Sequence, residues 1–433
     1  MHLLNRASPI HLFLYAYFLF YWPTWYQRKQ PLITIGSIDI HPSDISFLAL
    51  SFTCILIILN LIITRQTVKV RLQNTNPFVL ALISLYVYIV IKYFINGEYS
   101  VSSLRMLLKY SGGYIMLLFI PILINNLKSI RHMLIIGLLF AVYIFFMHIY
   151  KFYIIGYELH ILGGSFAYFT MPMFFMLLGN GCLSIIRPRF SKTIKVLIVL
   201  TVFLSGHRSA FIAFLASIFM WSYYRGLKKI ANELFIVGVV LCFALAVVFY
   251  ANSSIITESI ERASTTFDTK QGTYQGRWSN IFKIIERGKR NPWMGVPLGE
   301  NITADYEAWP VKTGNITSTR MIPVVTPHNL ILEWLYRYGI VGVIIGIGIL
   351  IISFKECFRF LKKYKKNEMM YNFGIAILCA LIFNLVLSFC NVTTSSMFHS
   401  FFLYWPLMLL ISMDRIVDSP KGVTGDCNGN AFI

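Results

Sequence analysis

The chain has 433 residues, of which 57% are hydrophobic and only 13% are charged. Soluble domains carry about 25% charged residues, so this composition excludes a soluble globular protein and predicts a single polytopic domain embedded in the lipid bilayer. The net charge of +20 is spread through short loops between apolar segments, which indicates membrane topology and argues against a nucleic acid partner.

Apolar runs recur along the chain at about the 20-residue length that crosses a bilayer as a helix. They predict an all-α fold with about twelve transmembrane helices: nine over residues 1–252, a large polar loop over 253–327, three more over 328–413, and a tail over 414–433. The spans are expected near residues 9–26, 44–64, 77–96, 104–125, 132–154, 161–183, 193–205, 209–224, 233–251, 328–354, 371–390 and 396–413.

Lys and Arg cluster in alternate loops, for example around Arg71, Lys192 and Lys363. Short cytoplasmic loops collect positive charge, so these loops and both termini are expected inside the cell. The 253–327 loop is then expected on the outer face, which in a bacterium is the periplasm.

Motifs for metals and common cofactors are missing from the sequence. The seven cysteines show no CxxC or Cys/His spacing, which argues against a disulfide framework and a structural zinc site. No Walker A, HExxH, GxSxG or outer Asp-x-Asp pattern occurs. We therefore expect neither a cofactor nor a metal.

The polar loop contains one amphipathic stretch. Trp278, Ile281, Phe282 and Ile285 fall on one helical face and predict a helix lying in the membrane interface, which Asn291-Pro292 ends. A helix that merely caps the bundle is the alternative. Arg277 directly precedes this helix and is singled out as a candidate functional residue.

The loop closes on a helix start. Thr326-Pro327 is a favourable N-cap and first position, which would place His328 and Asn329 in the first turn of the next span. Unpaired backbone N–H groups at that place favour an anion, and a histidine there can accept a proton from a hydroxyl group. A histidine that is merely solvated at the interface is the alternative.

The same span carries two further patterns. Glu333 precedes Arg337 by four residues, which predicts an ion pair along the helix. Gly342 and Gly346 form a GxxxG pattern, which indicates close helix packing.

Several basic residues are expected at the outer ends of spans, and they predict a pocket for a phosphate-bearing lipid. Basic groups in a membrane are costly and usually face a cavity, and guanidinium groups bind phosphate in a bidentate manner. For Arg208, an arginine that snorkels to the surface is the alternative. The residues of this predicted pocket are Lys92, Arg105, Lys109 and Arg208.

Five short motifs, in this order and topology, resemble the O-antigen ligase and polymerase superfamily. They are Ser205-Gly206-His207-Arg208-Ser209-Ala210, Arg277-Trp278, Asn291-Pro292-Trp293-Met294-Gly295-Val296, Pro327-His328-Asn329 with Glu333, and Tyr338-Gly339-Ile340-Val341-Gly342. The resemblance implies a metal-independent membrane glycosyltransferase of the GT-C type, in the bacterial inner membrane with its active site facing the periplasm. The implied donor is a glycan linked to undecaprenyl pyrophosphate.

The resemblance also implies roles for individual residues. Arg208 and Arg277 would bind the donor pyrophosphate, and His328 would activate the acceptor hydroxyl. His207 leaves open which residue of the His207-Arg208 pair faces the donor. Substrate-binding candidates added for their charge or position are Lys92, Arg105, Lys109, Asn329 and Glu333.

The acceptor stays open at this point. A lipid-linked repeat would make the protein a polymerase, which the Pro-His-Asn to Gly-Ile-Val-Gly stretch slightly favours, and lipid A-core would make it a ligase. A regulator of chain length is a further expected partner. A flippase or transporter of the same lipid-linked sugars, and a structural assembly subunit, are the rival hypotheses.

Overall fold

The computed structural model describes part of the chain. The described residues are 33–35, 38–40, 76–96, 126–154, 163–179, 188–204, 208–226, 281–298 without 283 and 287, 306–313, 316–323, 329–390 and 397–418, with isolated positions at 45, 48, 49, 52, 103, 104, 107, 114, 117, 118, 120, 121, 124 and 238.

Eight helices make up most of the described residues. They are α1 Pro77–Ile95, α2 Leu127–Ile154, α3 Gly163–Leu178, α4 Pro188–Leu204, α5 Arg208–Arg225, α6 Leu330–Lys363, α7 Glu368–Cys390 and α8 Met397–Asp418. Three of these, α1, α6 and α7, are long and apolar enough to cross a bilayer. The chain is an integral membrane protein.

The eight helices coincide with eight of the predicted spans. The other four predicted spans, 9–26, 44–64, 104–125 and 233–251, lie wholly or mostly outside the described residues. Helix α6 continues beyond residue 354, the predicted end of the tenth span, to Lys363. Lys and Arg are good helix formers, so the helix extends through its basic end after the apolar segment stops.

Helix α7 forms the middle of the packed core. Its sequence is apolar on all sides, with Ile377, Leu378, Leu381 and Phe383 fully buried. A helix that is apolar all round buries itself against other helices. Accordingly, α7 contacts α3, α5, α6 and α8.

The C-terminal end of α6 is tied to α1 and α8 by charged groups. Glu356 accepts hydrogen bonds from the Asn76 amide at 2.7 Å and from Arg359 at 2.6 Å. Asp414 of α8 accepts from Arg359 at 3.1 Å and from Lys363 at 2.8 Å. These bonds fix the basic end of α6 against its neighbours.

Two β-hairpins, which the sequence did not lead us to expect, accompany the helices in the described part of the chain. Strands β1 (Ile33–Ile35) and β2 (Ile38–Ile40) pair antiparallel, and so do β3 (Tyr306–Thr313) and β4 (Ile316–Pro323) inside the predicted polar loop. Each hairpin joins its strands through two residues that begin with glycine, Gly36-Ser37 and Gly314-Asn315. Such a connection between strand-forming runs is a hairpin signal.

Candidate functional site

The structure places some of the predicted site residues with their side chains and does not describe others. Asn329, Glu333 and Lys92 are placed with their side chains. Arg208 is the first residue of α5, and nothing is described of its side chain. His328, Arg277, His207, Arg105 and Lys109 lie outside the described residues.

Helix α6 is broken at Gly339, and this kink is the main feature of the described site. Gly339 has φ 65° and ψ −166°, a backbone conformation that is essentially restricted to glycine. The break separates a nine-residue arm (Leu330–Tyr338) from the long remainder of the helix. The arm follows His328-Asn329 directly in the sequence.

The arm folds back toward the rest of α6. In a straight helix, residues 334 and 346 would be about 18 Å apart along the axis. Here a Cβ placed on Gly346 would lie 2.5 Å from ring carbons of Trp334. The close packing predicted for the GxxxG pattern is therefore confirmed at Gly346, but its partner is the other half of the same helix.

Breaking a helix leaves backbone groups on both sides without their usual partners, and a second segment supplies new ones. This segment is the kink loop, Asn291–Leu298. Its Val296 N–H donates to the Tyr336 carbonyl at 2.8 Å, and its Pro292 carbonyl accepts from the Ile340 N–H at 2.8 Å. The Trp293 carbonyl accepts from Val341 N–H at 3.4 Å. The loop thus bonds to the helix on both sides of the break.

Two facing glycines let the kink loop come this close. Gly295 has φ 72°, and a Cβ there would lie 2.5 Å from the Tyr336 carbonyl oxygen. A Cβ on Gly339 would overlap the Trp293 carbonyl and lie 2.6 Å from the Met294 nitrogen. Both positions therefore require glycine for positive φ and for the approach of one backbone to the other.

Helix α1 completes the kink from the opposite side. The Lys92 ammonium donates to the Val296 carbonyl at 2.6 Å and also to the Arg337 carbonyl. One turn earlier on α1, the Tyr88 hydroxyl donates to the Tyr338 carbonyl at 2.6 Å. Three consecutive carbonyls at the end of the arm, those of residues 336 to 338, thus receive donors from outside α6.

Lys92 is fully buried among its neighbours in the described part of the protein. Its side chain is 0% exposed, and its ammonium also lies 5.6 Å from the centroid of the Tyr338 ring. A cation at the C-terminal end of a helix interacts favourably with the helix dipole. These contacts are structural, and direct contact of Lys92 with substrate stays a prediction.

The beginning of the arm corrects the predicted helix start. Asn329, not Thr326, is the N-cap: its Oδ1 accepts from Ile331 N–H at 2.9 Å and Leu332 N–H at 3.2 Å. Asn329 itself is extended, with φ −154° and ψ 129°. Its side-chain carbonyl satisfies free N–H groups of the first turn, so the helix begins at Leu330 and His328 precedes the cap.

Asn329 also anchors the arm to a neighbouring helix, because its Nδ2 donates to the Phe389 carbonyl near the end of α7 at 3.4 Å. Between this anchor and the kink, Glu333 and Arg337 form the predicted ion pair, with Oε1 and Nε 3.2 Å apart. Both residues are buried, at 3% and 4% exposure. The arm is therefore held at its start, along its length and at its end.

The amphipathic stretch in the polar loop is partly described, and its place in the membrane interface stays a prediction. Residues 281–282 and 284–286 are helical, but Phe282 is 65% exposed, whereas Ile284 is buried at 3%. Ile284 forms a small apolar cluster with Val296 and Tyr336. Its side chain connects this helical stretch to the arm, while Trp278 lies outside the described residues.

Residues 193–347 match the model of the O-antigen ligase family. The matched segment contains Arg208, Arg277 and His328, the kink loop and the whole arm. No curated protein matches the chain. The resemblance to the O-antigen ligase and polymerase superfamily is confirmed over this segment.

Proposed function

We propose that the protein transfers a glycan from an undecaprenyl-pyrophosphate-linked donor to a hydroxyl group of a second glycan, without a metal ion. The observation that carries the proposal is the arm: it is fixed at both ends, it follows His328-Asn329 in the sequence, and it lies in the segment that matches the O-antigen ligase family. A fixed support next to the proposed base suits a reaction that depends on accurate positioning.

In the proposed reaction, the acceptor hydroxyl oxygen attacks the anomeric carbon of the donor sugar. The bond between that carbon and the phosphate oxygen breaks, and undecaprenyl pyrophosphate leaves. His328 takes the hydroxyl proton. Arg208 and Arg277 bind the pyrophosphate, and because negative charge accumulates on this group in the transition state, two fixed cations lower the barrier.

The remaining candidates are proposed to bind the substrates around this centre. For Arg105, Lys109 and His207 the proposal rests on charge placement and on the family motif. Asn329 caps the arm and Glu333 lies within it, and both stabilise its structure. We place the reaction at the periplasmic face of a bacterial inner membrane and favour a second lipid-linked repeat as acceptor, which makes the protein a polymerase.

A deletion strain tests the proposed function through its lipopolysaccharide gel pattern. If the strain that lacks the protein makes core capped with a single repeat, the protein is a polymerase. If it makes uncapped core, the protein is a ligase, and an unchanged ladder would contradict both. Complementation with His328→Ala or Arg277→Ala is expected to leave the defect, at normal membrane levels of the protein.

Matched variants control for nonspecific damage in the same strain. Arg290→Ala removes an exposed arginine from the same loop, and His132→Ala removes a histidine from α2; both are expected to restore the ladder. Full complementation by His328→Ala and Arg277→Ala would refute the assigned chemistry and favour a flippase or an assembly subunit.

A further inference from the structure

We propose that Lys92 is a positioning residue for glycan transfer, and that its ammonium sets the orientation of the arm, which follows the proposed base His328 in the sequence. The inference rests on the proposed function, since it concerns the same site. Lys92 does not have to touch either substrate for this role. It acts through the backbone of Arg337 and Val296.

The burial of Lys92 is the first observation. The side chain is 0% exposed, although lysine is almost never fully buried and an ammonium group loses its hydration at high cost. A methionine or leucine would fill the same space without that cost. The charge is therefore expected to serve a purpose beyond filling the core.

The Lys92 ammonium joins two separate segments of the chain. Its two carbonyl partners belong to separate segments, Val296 to the kink loop and Arg337 to the arm. A single point charge on α1 thus holds the loop and the arm together at the break in α6. Tyr88, four residues earlier on α1, donates to the Tyr338 carbonyl at the end of the arm, so in the described part of the chain it secures the arm without linking it to the loop.

A rotation of the arm at the kink moves the opposite, N-terminal end of the arm. The arm is a nine-residue helix, about 13 Å long, so a rotation of about 5° at the kink displaces its far end by about 1 Å. A displacement of that size in a reactive group can reduce a rate by about a hundredfold. Asn329 lies at that far end, and His328 precedes it in the sequence.

Lys92→Met tests the role, because it keeps the unbranched stem of the side chain and removes the ammonium. The purified protein in proteoliposomes is assayed with the lipid-linked repeat extracted from the deletion strain. We expect kcat to fall by about 10- to 100-fold, with the KM for this donor within about twofold of the wild-type value. Lys195→Met, which removes another buried lysine from α4, is the matched control and is expected to leave both constants unchanged.

A double variant separates positioning from general weakening of the fold. If Lys92 acts by positioning His328, the Lys92→Met substitution lowers kcat by about 10- to 100-fold in the otherwise wild-type protein. Added to the His328→Ala variant, the same substitution lowers kcat by less than about a further twofold. Independent losses that multiply would overturn the proposal. An unchanged kcat in Lys92→Met, or a rise in the donor KM with kcat unchanged, would overturn it as well.

The failures of the two proposals are distinguishable. No transfer by the wild-type protein would refute the proposed function, whereas wild-type transfer with an unaffected Lys92→Met variant would refute only the positioning role. If Lys92→Met does not fold, Lys92→Leu, which also lacks a donor, is held to the same criteria. Failure of both variants to fold would assign Lys92 to folding and would also overturn the proposal.

Discussion

Replacing Gly339 by alanine is expected to disrupt the kink of α6 with the largest effect of any single methyl group at this site. Gly339 has φ 65° and ψ −166°, and a residue with a side chain pays about 1–3 kcal/mol to adopt such a conformation. The new Cβ would also overlap the Trp293 carbonyl. The alanine Cβ is fixed by the backbone, and the atoms it would meet belong to the backbone of Trp293 and Met294. A change of side-chain rotamer therefore cannot relieve the overlap.

The kink loop must therefore move away, and it would weaken its two bonds to the second half of α6, from Ile340 and Val341. A buried N–H group that loses its acceptor costs about 1–3 kcal/mol. Together with the backbone strain, we expect Gly339→Ala to reduce the free energy of unfolding by about 4 kcal/mol.

The assay is unfolding of the purified protein by SDS in mixed micelles, followed by tryptophan fluorescence. Gly348→Ala is the matched control: it lies on the same helix, and its added Cβ meets no atom within 4 Å. Replacing this glycine removes a helix penalty of up to about 1 kcal/mol, so the control is expected to be as stable as the wild type or more so. Equal stability of the two variants would refute the account of the kink.

Three further substitutions probe the arm, each measured by the same unfolding assay. Glu333→Gln leaves Arg337 buried beside a neutral partner and should lower the free energy of unfolding by about 3 kcal/mol. Adding Arg337→Met should recover part of this loss, and no recovery would contradict the ion pair. Asn329→Ala should lower the free energy of unfolding by about 1 kcal/mol through loss of the N-cap. Asn329→Asp keeps the capping oxygen but loses the Nδ2 bond to Phe389, so its loss should be smaller than that of Asn329→Ala; equal losses in both would contradict the cap. Gly346→Ala should cost about 1–3 kcal/mol, because the methyl group presses on Trp334, and an unchanged midpoint would contradict the folded-back arm.

The positions of the described helices were largely predictable, because the length of an apolar run is a direct requirement of the bilayer. The kink was not predicted. The stretch from Leu330 to Lys363 has continuous helical periodicity, and Gly339 lies near the GxxxG glycines, so it is read as one more small residue at a helix interface. The kink depends on the kink loop about 40 residues earlier, and no local pattern contains that partner.

The two β-hairpins show a different kind of miss. Their signal is local, in the glycine-initiated connections Gly36-Ser37 and Gly314-Asn315, but the apolar composition of the chain favoured helices everywhere. Thr326-Pro327 is the opposite case, a local signal that led to a wrong helix start. It has good capping chemistry, yet the Asn329 side chain supplies the cap three residues later.

The site was predictable where a contact follows from spacing along one helix. The Glu333–Arg337 pair is separated by four residues, and the structure confirms it. Lys92 shows the limit of charge placement. Its position near a helix end favours a pocket facing the outside, but its burial depends on the Val296 and Arg337 carbonyls, which only the folded kink brings within reach.

Transfer by the purified protein tests the central claim most directly. Wild-type protein is reconstituted in proteoliposomes with radiolabelled lipid-linked repeat and with EDTA present, and the formation of glycosidic bonds and the release of undecaprenyl pyrophosphate are followed together. We predict that both products appear at equal rates and that His328→Ala lowers both by about a hundredfold or more. Movement of the labelled lipid across the bilayer without formation of a new glycosidic bond would contradict the account.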